Sequence, residues 1–156
     1  MPDERELFEV LRRHGVPFVV IGGHAVSFHG YGRTTEDVDV VWIRSHEAEL
    51  ALFAALTEVN AAFIGDEIDP VTGLERTVPV TLQFVRSNSL MMLVTRFGFL
   101  DLFDYVPGLS EEDPNSLLAS AVGTGSPKFV SLDWLRRMKQ ASGRAKDLID
   151  LQNLPE

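Results

Sequence analysis

The chain has 156 residues, of which 45% are hydrophobic and 24% charged, the balance of an ordinary soluble globular protein long enough to bury a core as a single domain. No run of 18 apolar residues occurs and the opening MPDERELFEV is acidic without an apolar signal core, so membrane insertion and secretion are unsupported and the cytoplasm is the expected compartment. The lack of cysteine excludes disulfides and thiolate metal centres, and a net charge of −9 argues against general DNA binding.

In chain order, residues 3–14 read as an amphipathic helix with Leu7, Val10 and Leu11 on one side, stopped by Gly15 and Pro17. Phe18 to Ile21 is a β-branched, aromatic run expected as a buried strand. Gly22 and Gly23 follow, then one or two helical turns over His24 to His29. A polar loop, Gly30 to Glu36, leads into a second strand over Asp37 to Ile43. Ser45 suits a helix cap, with Glu47 and Glu49 in the first turn of a helix running to about Asn60 and Leu52, Phe53, Leu56 and Val59 inward.

The acidic, turn-rich GDEIDPVTG over 65–73 is expected as a solvated loop, and residues 77–86 as a short helix from Pro79 rather than an edge strand. Ser89 to Thr95 and Phe99 to Val106 form an expected antiparallel hairpin across Arg96, Phe97 and Gly98. A short helix follows Pro114. A last pair of helices is expected around the Gly143 break, the first capped by Ser131 with Leu132, Leu135 and Met138 inward. Six of the fourteen basic residues lie between Lys128 and Lys146, a local patch suited to a nucleotide or the end of an RNA.

Asp37 and Asp39 leave their strand on one face while Val38 and Val40 leave on the other. Two neighbouring carboxylates on an apolar strand repel each other and resist desolvation, and a bound divalent cation removes both costs. Asp101 interrupts FLDLF in the same costly way, whereas Asp104, three residues on, belongs to the other face. His24 and His29 fit no zinc pattern and read as structural.

Four blocks in this order, GGHA at 22–25, RTTEDVDV at 33–40, GFLDL at 98–102 and MKQASGRAKDLIDL at 138–151, make the chain resemble minimal nucleotidyltransferases of the DNA polymerase β-like superfamily, among them the AbiEii-type toxins. The resemblance implies an α/β (α+β) nucleotidyltransferase fold, a small mixed sheet flanked by helices. One domain over 1–156 is expected, with a core over about 5–109 and a helical part over about 110–156. It also implies transfer of a nucleoside monophosphate from an NTP to an acceptor hydroxyl on an RNA 3′ end such as that of tRNA, a protein or a small molecule. Two Mg²⁺ or Mn²⁺ ions, held ~3.5–4 Å apart in such enzymes, would serve the attacking oxygen and the phosphates.

By position, Asp37, Asp39 and Asp101 take the catalytic and metal-binding places, and Gly22, Gly23, Lys139, Arg144 and Lys146 the nucleotide-binding ones. Arg33, Thr34 and Thr35 are candidate loop contacts. Asp147 and Asp150 are expected to position basic side chains or cap helix ends. The AbiEii-like relatives imply a toxin–antitoxin or defence role with an antitoxin partner. The chain departs from the family at Gly23, where a serine hydroxyl usually bonds the phosphate, a contact worth ~1 kcal/mol. That departure leaves a second reading, a catalytically degenerate member acting as a nucleotide- or protein-binding module.

Overall fold

A computed structural model describes residues 3–32, 35 and 37–155. Its elements, in chain order, are α1 (Glu4–Arg13), β1 (Phe18–Ile21), α2 (Gly22–Phe28), β2 (Asp37–Trp42), α3 (His46–Glu58), β3 (Ala62–Ile68), β4 (Glu75–Pro79), α4 (Leu82–Ser87), β5 (Leu90–Thr95), β6 (Gly98–Phe103), α5 (Pro114–Ala119), α6 (Leu132–Ser142) and α7 (Ala145–Asn153). Short polar side chains start the helices where the sequence places them. Asp3 accepts from Arg5 N, Ser45 from Ala48 N and Ser131 from Trp134 N, each satisfying a backbone donor that the helix itself leaves open. Gly143, in the left-handed region at φ +63°, ends α6. Among the described residues no helix is long and apolar enough to cross a membrane.

The strands form one mixed six-stranded sheet in the order β1-β2-β6-β5-β3-β4. β2 runs parallel to β6, and the remaining neighbours are antiparallel. Alternation along the strands feeds two cores. Phe18, Val20, Val38, Val40, Leu100 and Leu102 meet α1, α3 and α4 on the first face, through Leu7, Leu11, Leu52, Leu56 and Val85. Val19, Ile21 and Val41 meet α2, α5, α6 and α7 on the second face, through Val26, Leu117, Leu135, Met138 and Leu154. On the second face of the outer half of the sheet Ile64, Leu90, Met92 and Phe99 remain exposed.

Two expectations are corrected here. The stretch 65–73 is not one loop: Gly65 to Ile68 complete β3, and only the tip turns, with the Asp69 carboxylate accepting from Val71 N at 2.8 Å. Residues 77–86 are both strand and helix. Thr77 to Pro79 close β4 at the edge of the sheet, where a proline forfeits no ladder bond, and Thr81 then caps α4 through Phe84 N at 3.1 Å. The helix after the glycines also begins earlier than expected, at Gly22.

Candidate active site

The parallel pairing of β2 with β6 sets Asp39 opposite Asp101, with Val38 opposite Leu100 and Val40 opposite Leu102. The valines and leucines of these pairs are buried on the first face, so Asp37, Asp39 and Asp101 leave together on the second. Two sequence-distant carboxylates thus stand side by side at strand spacing, about 4.8 Å between backbones. On the other side Asp39 faces Ile21 of β1, just before the chain turns into α2. There Gly22 adopts φ +67°, and a Cβ on it would lie 3.0 Å from both Cβ and Cγ of Asp39. A glycine is required both for that backbone angle and for the space the Asp39 carboxylate fills.

Charge at this point is unbalanced. Burial pushes the Asp101 carboxyl up to about 7, reinforced by the charge of Asp39, a hydrogen bond to it and the charge of Asp37. Burial also raises Asp39. Its hydrogen bond with Asp101 opposes this, Asp37 adds to it, and Lys146 and His24 moderate it by their charge. Two carboxylates this close resist ionising together without a counter-cation, which is why the protonated form of Asp101 is favoured.

The carboxylates line one wall of a cavity of about 460 Å³, within the range that holds small-molecule ligands. Leu90, Met92 and Phe103 continue that wall, and α6 and α7 supply the opposite one with Lys139, Arg144 and Lys146. Lys139 is buried and donates to Asp147 at 3.1 Å, with Asp150 3.0 Å away. Arg144 Nε reaches Asp147 at 2.9 Å. Burial acts to raise the Asp147 carboxyl, but hydrogen bonds from Ser142, Arg144 and Lys139 outweigh it and hold the group well below the usual carboxylate range. This ion cluster joins the end of α6 to the start of α7 and fixes the cationic wall.

The predicted residues thus divide. Asp37, Asp39, Asp101, Gly22, Lys139, Arg144 and Lys146 line the same cavity, and Gly23 lies buried in the first turn of α2. Lys139 differs from the expectation of a phosphate ligand: its ammonium is held between two carboxylates. Thr35 Oγ1 lies 3.3 Å from the Asp37 carbonyl, so it braces the loop, while Arg33 and Thr34 lie outside the described residues. His29 Nε2 sits 2.8 Å from the Val130 carbonyl, and His24 packs edge-on against Phe8. Asp104 pairs with Arg44 at 2.7 Å, away from the cavity. The apolar wall of Leu90, Met92 and Phe103 was not singled out by the sequence, because such residues in a strand look like core.

Among the described residues no three His, Cys, Asp or Glu side chains form a ready-made metal cage. The donors on the sheet are all carboxylate oxygens. That donor set suits a hard dication such as Mg²⁺ or Mn²⁺, which takes carboxylate and water oxygens.

No family model and no curated protein sequence matches the chain. Among solved structures it is similar to a Thermotoga maritima protein described as a "putative nucleotidyltransferase (TM1012)", with a TM-score of 0.55 and 16% identity over 95% of this chain and 87% of that one. JHP933 from Helicobacter pylori gives a TM-score of 0.47 and 15% identity over 95% of this chain and 62% of that one, a likeness too weak to add to the first. The mixed sheet with helices on both faces is thus a nucleotidyltransferase-like fold.

Proposed function

We propose that the protein transfers a nucleoside monophosphate from an NTP to an acceptor hydroxyl with the help of Mg²⁺ or Mn²⁺. The observation that carries this reading is the registered pair Asp39–Asp101, with Asp37 on the same face, opposite a cationic wall across one cavity. When bound, the dications neutralise phosphate charge and activate the attacking hydroxyl. Asp37 and Asp39 would hold them, and Asp101 would complete the acceptor side. Lys146 and Arg144 face the triphosphate, and the turn at Gly22 and Gly23 gives it room beside the backbone. Lys139 positions rather than binds, through Asp147 and Asp150. The acceptor oxygen forms a bond to the α-phosphorus, the bond to the β-phosphate oxygen breaks, and pyrophosphate leaves.

The resemblance to AbiEii-type toxins extends the proposal to a cytoplasmic toxin or defence component with an antitoxin partner. One observation favours a second reading, a nucleotide-binding module without transfer: Gly23 stands where the family carries a serine. Calorimetry with Mg²⁺ and each NTP tests the site. Wild type is expected to bind, and Asp37→Asn and Asp39→Asn to weaken binding about 100-fold, which corresponds to about 2.7 kcal/mol. Unchanged metal-dependent binding in both variants would sink the reading, whereas binding without pyrophosphate release selects the module.

A further inference from the structure

Cations and apolar surface are separated around the carboxylates, and the separation bears on the acceptor. On the second face, strand pairing sets Met92 beside Asp101 and Phe99 beside Val94, and Val94 beside Ala62 at the start of β3. Side chains in register share a face, so an apolar strip runs outward from Asp101 over Met92, Phe99 and Val94 to Ile64. It is open: Met92 is 64% exposed, Ile64 54% and Phe99 49%. Among the described residues of β6, β5 and β3, no Lys or Arg lies on this face.

Most of the basic cluster near the C-terminus is spent inside the fold. Lys128 donates to the Gly123 carbonyl, Arg137 to Glu112 at 2.9 Å, Lys139 to Asp147, and Arg144 to Asp147, while Arg136 has a buried Nε and does not line the cavity. What remains at the cavity is chiefly Lys146, beside Asp39. A nucleic-acid acceptor needs further cations along its backbone, and single strands are gripped by aromatic side chains together with a positive groove. Here aromatic and apolar side chains stand beside three carboxylates in a chain of net charge −9.

From this we infer that the acceptor is a polypeptide: an apolar segment of a partner protein lies along the Met92–Phe99–Ile64 strip and presents a Ser, Thr or Tyr hydroxyl at Asp101. The inference rests on the transfer reaction proposed above. The hydroxyl oxygen bonds to the α-phosphorus to give a phosphodiester, the bond from that phosphorus to the bridging oxygen of the β-phosphate breaks, pyrophosphate departs, and the hydroxyl proton passes to water.

Wild-type protein is incubated with α-³²P-labelled NTPs and Mn²⁺, in parallel, with RNA-free protein and with protein-free RNA from one cell lysate. Label is expected in the protein pool, stable to ribonuclease and removed by protease. Phe99→Ser, which adds no charge beside its register partner Asp37, and Ile64→Asp, both outside the cavity, should lower it by at least about tenfold while Mn²⁺–NTP binding by calorimetry stays within about twofold of wild type. Leu50→Asp, exposed on α3 at the other face, should leave it unchanged. Label in the RNA pool, label confined to the chain itself, or label in the protein pool that is insensitive to both strip substitutions overturns the inference and leaves nucleotidyl transfer standing. Failure of wild type to bind Mn²⁺–NTP overturns the parent reading instead.

Discussion

Asp101 sits beside Asp39 with its carboxyl pushed up to about 7 by burial and by the neighbouring charges. The folded chain therefore holds a proton between about pH 4 and pH 7 that the unfolded chain has released, and stability falls as pH rises through that window. Asp101→Asn keeps a hydrogen bond toward Asp39 and removes the titration. Thermal unfolding followed from pH 4 to pH 8 without metal should decline less in Asp101→Asn than in wild type, and the variant should melt higher at neutral pH. The same variant should lose metal-dependent nucleotide binding. A variant that is less stable than wild type at neutral pH would contradict the strain assigned to the carboxylate pair. Asp37 and Asp39 were legible in the sequence because a two-residue period on an apolar strand forces them onto one face. Asp101 was visible only as a misplaced carboxylate, and its partnership with Asp39 came from resemblance, since strand pairing across some 60 residues leaves no local pattern.

At the scale of elements, α6 and α7 are tied by a buried ion cluster. Removing Lys139 takes away the cation that Asp147 and Asp150, 0% and 2% exposed, share, and leaves the two buried carboxylates with less positive charge than they need. Lys139→Met should cost about 3–5 kcal/mol in urea unfolding at pH 7, with much of the loss recovered when Asp150→Asn is added, because the defect is uncompensated charge. A cost below about 1 kcal/mol would show that the cluster does not hold the helices. Asp147 is held below the usual carboxylate range, so its stabilising share stands above about pH 4 and is lost as pH falls further. The helices were legible from caps and apolar spacing. The β3–β4 hairpin was not, because β4 is exposed throughout and shows no burial alternation, and the Gly, Asp and Pro of β3 and its turn are the residues that mark loops.

Across the whole molecule the two faces of one sheet divide the work. The first buries the larger core, and the second carries the carboxylates, the cavity and the cationic wall between the sheet and α6–α7. The six basic residues between Lys128 and Lys146 look like an electropositive patch in sequence, yet folding pairs most of them with carboxylates or a carbonyl. Composition cannot reveal this, because pairing depends on which helix faces meet. The proposed reaction requires the three carboxylates to take dications together with a nucleotide. Electron paramagnetic resonance of Mn²⁺, with and without a non-hydrolysable NTP analogue, tests it most directly. The signal of free Mn²⁺ is expected to fall when wild-type protein and nucleotide are present together, beyond what nucleotide alone produces, and Asp39→Asn to abolish the difference. Equal Mn²⁺ binding by wild type and Asp39→Asn would contradict it.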